Sequence, residues 1–288
     1  MIESLNRVNN LATEECVTKL RVKPFIRWAG GKQNLVAKLS LHLPKFKFNR
    51  YFEPFLGAGS MFLYNGFTNT VLSDINSHLV NAYKQLASSP EEIFDQLQYH
   101  LRLLNPDYYY KLRTIFNQNR DSFNIDQASL FIFLVHTSFN GIYRVNKKGE
   151  YNVPVGKLNP SLPSIEHLKA IQASLQGIEL IDCMYEDVLD RIGSGDLVYL
   201  DPPYPPLNDT SYFQHYTIDK FLYQKQCELA ENVKFLSDKG AFILMSNADT
   251  PLIRELYSSW NVIDIDAMRS INCKPKRTSV KELIISNY

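Results

Sequence analysis

The chain has 288 residues, 45% hydrophobic and 12% aromatic, with a formal net charge of +1 at pH 7. That apolar fraction supports a full core and excludes a disordered chain, and no apolar run approaches the ~20 residues of a membrane-spanning helix. Cys16, Cys183, Cys227 and Cys273 form no CxxC pair and no metal-ligand spacing, a pattern expected of reduced thiols in a cytoplasmic protein.

Residues 1–23 read as a lead-in that mixes acids, amides and bases, without the apolar core of a signal peptide. The segment Phe25-Ile26-Arg27-Trp28-Ala29-Gly30-Gly31-Lys32 follows. Its Gly-Gly-Lys lacks the G-x-x-x-x-G-K-[ST] spacing, so a P-loop is rejected. Leu35, Val36, Leu39 and Leu43 recur at helical spacing and predict a helix over residues 33–43, stopped by Pro44. Residues 51–56 predict a strand that feeds the small-residue turn Gly57-Ala58-Gly59-Ser60 and an apolar helix. Residues 70–73 predict a second buried strand, ended by Asp74, with Asn76 as the cap of the next helix. This is the opening of a doubly wound α/β fold.

The rhythm then changes. Residues 90–139 predict successive helices, broken at Asn105-Pro106 and at residues 124–126. Residues 143–153 alternate around Asn146-Lys147-Lys148-Gly149 and predict a β-hairpin. After Pro160 come a helix over residues 164–175 and strands over 178–181, 197–200, 241–245, 262–265 and 283–286. The predicted division is therefore one α/β domain, residues 24–89 and 164–288, interrupted by an insertion at 90–163. The basic run Arg269, Lys274, Lys276, Arg277 and Lys281 contains no acid and suits either a solvated face or phosphate tracking.

Besides the segment from Phe25 to Lys32, two more carry chemistry. In Phe52-Glu53-Pro54-Phe55-Leu56-Gly57-Ala58-Gly59-Ser60 the glycines let a ligand approach the backbone. Phe62 stands where a pyrophosphate cradle needs a third Gly or Ala, so a cofactor without phosphate, such as S-adenosylmethionine, fits better. Asp74 stands about 20 residues further on, where a doubly wound fold places an acid on ribose hydroxyls; the other reading is that it only ends its strand. The third segment is Asp201-Pro202-Pro203-Tyr204. Its prolines stop the strand and stiffen the chain. The Asp201 carboxylate and the Pro202 carbonyl are two adjacent acceptors suited to the two hydrogens of an exocyclic amine, and Tyr204 offers a ring to a flipped base.

Taken in order, WAGGK, FEPFLGAGS, LSDIN, an insertion with FNGIYRVN and YNVPVGK, and DPPYPP resemble the Dam-type DNA adenine methylases, the D12 class within the alpha group of amino methyltransferases. The resemblance runs from about residue 24 to the C-terminus. It implies a doubly wound, mostly parallel S-adenosylmethionine-dependent methyltransferase sheet with an inserted helical and β-hairpin domain that reads DNA. It also implies methyl transfer from S-adenosyl-L-methionine to N6 of an adenine flipped from double-stranded DNA. The expected target is GATC or a related short palindrome, with no metal and no membrane. The enzyme acts alone or alongside a companion restriction endonuclease that is not a stable partner.

By the same resemblance Trp28, Lys32, Phe55, Gly57, Gly59, Asp74, Tyr185 and Asp201 belong to the cofactor site, Tyr185 packing on the cofactor adenine. Asp201, Pro202 and Tyr204 form the catalytic turn. Phe139 wedges beside the vacated base pair, Arg144 reads a guanine edge, and Arg27, Asn140, Asn152, Pro154 and Lys157 make neighbouring DNA contacts. Arg27 replaces the family's usual Lys, and Lys157 stands where many members have Arg, which leaves the target sequence open. The alternatives are methylation of cytosine N4 or protein glutamine, a silent DNA-binding module, and a nicotinamide dehydrogenase. The first group more often has Ser or Asn in place of Asp201. The second conflicts with three intact motifs, and the last with Phe62.

Overall fold

The structure, a computed structural model, describes residues 21–204, 223–268 and 279–288. Cys16, Cys273, Pro205, Pro206, Arg269, Lys274, Lys276 and Arg277 lie outside the described residues, as does the lead-in up to residue 20.

The predicted apolar runs assemble into one sheet. Strands β1 (Tyr51–Glu53), β2 (Thr70–Asp74), β3 (Glu179–Asp182), β4 (Leu197–Leu200) and β5 (Phe242–Ala248) pair in parallel. Strand β6 (Asn261–Met268) forms an edge, and β7 (Ser279–Ser286) runs antiparallel between it and β5, giving the order β3-β2-β1-β4-β5-β7-β6. Every residue of β1 and β4 is buried, as strands covered on both faces must be. The predicted strand at 51–56 stops at Glu53, because Pro54 has no N–H to give a ladder. Since β1 has β2 on one side and β4 on the other, the chain changes winding direction between β1 and β4. In a doubly wound sheet the crevice opens there, at the carboxyl ends of the strands. The glycine turn leaves one of these ends and Asp201 the other.

The helices cover both faces. On one side lie α1 (Val36–Ser40), α2 (Ser60–Asn65), α3 (Ser77–Ser88), α4 (Pro90–Leu103), α5 (Pro106–Gln118), α6 (Ile125–Thr137) and α7 (Ile165–Ser174). Helix α1 is shorter than predicted because the Leu35 and Val36 amides both turn onto the Lys32 carbonyl. Asn76 caps α3 as expected, and the predicted breaks at Asn105 and Asn124 are caps too: all three side chains accept from the backbones of α3, α5 and α6. Helix α6 is buried nearly all round, with α3, α4 and α5 packed about it. The opposite core joins Phe52, Val198 and Leu200 of the sheet to Val188 of α8 (Glu186–Leu189), Leu229, Val233 and Leu236 of α9 (Tyr223–Asp238), and Ile253 of α10 (Pro251–Leu256).

The predicted hairpin at 143–153 is a chain reversal with one bridge, Val145 opposite Tyr151, rather than a pair of strands. Side chains close its ladder at both ends. The Glu150 amide donates to the Asn146 side chain, and the Asn152 carbonyl accepts from the Arg144 guanidinium. From α5, Asn117 pins the outer edge, donating to the Tyr151 carbonyl and accepting from its amide.

Candidate active site

The turn after β1 needs its glycines. Gly57 (φ 49°) and Gly59 (φ 64°) are left-handed, the region that favours a residue without Cβ. A Cβ at Gly57 would come within 2.9 Å of the Trp28 ring, and one at Gly59 within 2.7 Å of the Tyr83 hydroxyl. Asp74, at the end of β2, reaches back to this turn. Its Oδ2 accepts from the Gly57 amide and its Oδ1 from the Asn76 amide, both at 2.9 Å. The acid thus holds the turn in shape, while each oxygen keeps a further lone pair for a ligand. Burial raises the Asp74 carboxyl to about 6 against the pull of the two amides. The buried Ser60 hydroxyl, at the start of α2, has no hydrogen-bond partner among the described residues. Tyr185 lies against the Phe55 ring (centroids 5.1 Å apart) and accepts at its hydroxyl from Asn232.

The turn after β4 is more tightly bound. Asp201 Oδ1 accepts from the Ser246 hydroxyl of β5 at 2.9 Å and pairs with the Lys32 ammonium at 2.7 Å. Lys32 also donates to the Gly30 carbonyl at 2.7 Å. Tyr199 backs Ser246, oxygen to oxygen at 2.9 Å. Among the described residues nothing donates to Asp201 Oδ2. The Pro203 carbonyl accepts from the buried Gln226 of α9 at 3.0 Å, and Asn247 of β5 in turn holds Gln226. The neighbouring Pro202 carbonyl takes no hydrogen bond among the described residues. One oxygen of Asp201 and the carbonyl of Pro203 are therefore fixed, while the other oxygen and the carbonyl of Pro202 are left open by the described residues.

Tyr204 is half-buried, with the Lys32 ammonium 4.6 Å from its ring centroid and its hydroxyl donating to Glu282 Oε2 at 2.9 Å. Burial, with Asp201 and Glu282 adding to it, holds this phenol well above the usual range, so the hydroxyl keeps its proton. Behind the crevice, Glu53 accepts from the Tyr51 hydroxyl at 2.7 Å and from the Phe62 amide at 3.2 Å. Burial pushes the Glu53 carboxyl up to about 8, and the Asp201 and Asp74 charges add to the rise.

The residues expected at DNA cluster on the loops beyond α6. Phe139 and Asn140 are exposed, and Asn140 and Gly141 are both left-handed (φ 60° and 63°). The Phe139 amide donates to the Pro154 carbonyl at 2.9 Å, which holds the two loops together ahead of the exposed Lys157. Arg27 is exposed and lies against Gly141, 3.3 Å from the place of a Cβ there. Arg144 Nε donates to Asn152 Oδ1 at 2.8 Å, so Asn152 aims the guanidinium. Trp28 links this cluster to the crevice: its ring edge lies at Gly57 and its face stacks on Tyr143 (5.6 Å, 16°).

Among the buried polar residues that the sequence reading gave no role are Glu53, Gln226, Ser246, Asn247 and Glu282. Glu53 and Glu282 left a signal, since each is a carboxylate beside apolar strand residues. Gln226 and Ser246 left none, because only the fold brings them to the turn after β4.

Residues 28–271 match the D12 class N6 adenine-specific DNA methyltransferase family. The chain is 36% identical over 276 residues to a Type II methyltransferase of Lactococcus lactis subsp. cremoris, covering 94% of this chain and 97% of that protein. A Type II methyltransferase of Methanocaldococcus jannaschii is 36% identical over 290 residues, covering 93% of this chain and 100% of the relative. The DNA adenine methylase of Escherichia coli (strain K12) is 35% identical over 269 residues, at 91% and 94% coverage.

Proposed function

The chain belongs to the D12 class N6 adenine-specific DNA methyltransferases and methylates N6 of adenine in DNA; from that premise we propose that Asp201, Pro202 and Tyr204 carry the transfer. The observation behind this reading is that Lys32, Ser246 and Gln226 hold Asp201 Oδ1 and the Pro203 carbonyl, while among the described residues nothing donates to Asp201 Oδ2 or to the Pro202 carbonyl. The adenine amine is a poor nucleophile because its lone pair is delocalised into the ring. Acceptors on its two hydrogens favour a pyramidal nitrogen whose lone pair points out of the ring plane. Tyr204 stacks on the extruded base. Fixing the nitrogen in line removes several kcal/mol of barrier by positioning. The proton lost after transfer goes to solvent, so Asp201 orients the amine and need not act as a strong base.

S-adenosylmethionine, as the methyl donor, supplies an electrophilic methyl on a cationic sulfur. The crevice fits such a group: the turn is glycine-shaped, the Asp74 carboxylate has spare lone pairs, and the buried Ser60 hydroxyl has no partner among the described residues. Phe62, fully buried with its amide on Glu53, fills the place of a pyrophosphate cradle's third glycine. Trp28, Phe55, Gly57, Gly59, Asp74 and Tyr185 would hold the cofactor, with Lys32 setting the Asp201 carboxylate behind it.

Double-stranded DNA is the substrate in this reading. Arg144, aimed by Asn152, and Arg27 each offer the two-pronged donor that suits guanine O6 and N7. Phe139 is the wedge, and Asn140, Pro154 and Lys157 lie beside it. Guanine readers flanking the flipped adenine favour GATC or a related short palindrome. Single-molecule sequencing of duplex DNA methylated by the protein tests this. N6-methyladenine within one short guanine-flanked site supports the reading; methylation of adenines in unrelated contexts overturns it.

A further inference from the structure

Strand β7 lies inside the sheet, and Leu283, Ile284 and Ile285 make it apolar. Glu282 opens that run opposite Ala248 of β5 and is only 8% exposed. A carboxylate in such a place is unfavourable unless it is engaged. Its Oε2 accepts the Tyr204 hydroxyl proton at 2.9 Å and stands 4.0 Å from the Lys32 ammonium. The same ammonium lies 4.6 Å from the Tyr204 ring centroid. The tyrosine is thus held at its hydroxyl by one charge and against one ring face by another. An aromatic ring already fixed gives up less freedom when a second ring stacks on it.

We infer that Glu282 is a positioning residue for methyl transfer: through the Tyr204 hydroxyl and the Lys32 ammonium it fixes the ring on which the flipped adenine stacks, without touching the base itself. The inference rests on the reading of Tyr204 as that stacking ring. It gives the hydroxyl a task that stacking alone does not require.

The test uses the full chain with Glu282→Ala, Glu282→Gln, Tyr204→Phe, Tyr204→Ala and the double variant Glu282→Ala/Tyr204→Phe. Single-turnover methylation of a duplex is measured alongside affinity for that duplex and for S-adenosylhomocysteine. Fluorescence is read from a duplex with 2-aminopurine at the target adenine. Glu282→Ala and Tyr204→Phe should each slow methylation about tenfold or more, as loss of a hydrogen bond to a charged group does. Both affinities should stay within about twofold, and 2-aminopurine emission should rise as stacking loosens. The double variant should be no slower than the worse single one, because the two act through one contact. Glu282→Gln, which still accepts the hydroxyl, should recover part of the rate. Wild-type rates in Tyr204→Phe with a slow Tyr204→Ala would overturn the role of Glu282 and leave the stacking ring in place. A fast Tyr204→Ala would overturn both.

Discussion

The Lys32 ammonium stands 2.7 Å from Asp201 Oδ1, with the two side chains only 5% and 18% exposed. This pair ties the loop before α1 to the turn after β4. Together with Ser246 it occupies one oxygen of the carboxylate and leaves the other without a donor among the described residues. Replacing Lys32 by Met leaves a partly buried carboxylate without its cation, a loss on the order of 2 kcal/mol of stability. Thermal unfolding should show a lower Tm, and single-turnover methylation should fall more than DNA affinity does. Wild-type turnover in Lys32→Met would remove the orienting role of the pair.

Gly57→Ala puts a methyl group within 2.9 Å of the Trp28 ring on a residue at φ 49°. The backbone strain is about 1–2 kcal/mol before Trp28 moves. Calorimetry with S-adenosylhomocysteine and no DNA should therefore show affinity reduced about tenfold or more. Unchanged affinity would place the cofactor away from this turn.

Glu53 makes stability depend on pH. Its folded carboxyl titrates at about 8, above the ordinary 4.5, so between those values the folded state binds more proton than the unfolded one. Stability is then greatest below the unfolded value and falls as pH rises toward 8. Glu53→Gln should flatten that fall in urea unfolding measured from pH 5 to about 8. A wild-type slope in the variant would assign the dependence to other groups.

Asn152 holds the Arg144 guanidinium through a 2.8 Å hydrogen bond. Arg144→Ala should cost ~1–3 kcal/mol and relax discrimination at one position of the target. Asn152→Ala should relax the same position to a smaller degree. Methylation rates on duplexes altered one base pair at a time decide this. An even loss across all of them, with a shallower salt dependence, would make Arg144 a phosphate contact.

The sheet was legible because its strands are short apolar runs ended by Asp74, by Asp201 and, at Pro54, by a missing N–H. The cap at Asn76 and the helix breaks at Asn105 and Asn124 were legible for the same local reason, and the structure shows the two breaks to be caps as well. The partners of each site residue were not. Asp74 was expected at a ligand, yet its nearest donors are the Gly57 and Asn76 amides. Lys32 was expected in the cofactor site with Asp201, and the ion pair between the two was not foreseen. Such pairings depend on which strand ends the topology sets side by side, and Glu282 reaches Tyr204 only because β7 lies beside β5. The hairpin at 143–153 has the alternation of paired strands, but the side chains of Arg144 and Asn146 take the groups that would have extended its ladder.

The decisive measurement is single-turnover methyl transfer to a duplex by the wild-type chain and by Asp201→Ala, with the product nucleosides identified by mass spectrometry and DNA binding measured in parallel. The wild type should yield N6-methyl-2′-deoxyadenosine, while the variant binds the duplex with little change and yields none above background. Near-normal turnover by Asp201→Ala would contradict the account, because the amine would then be oriented by other groups.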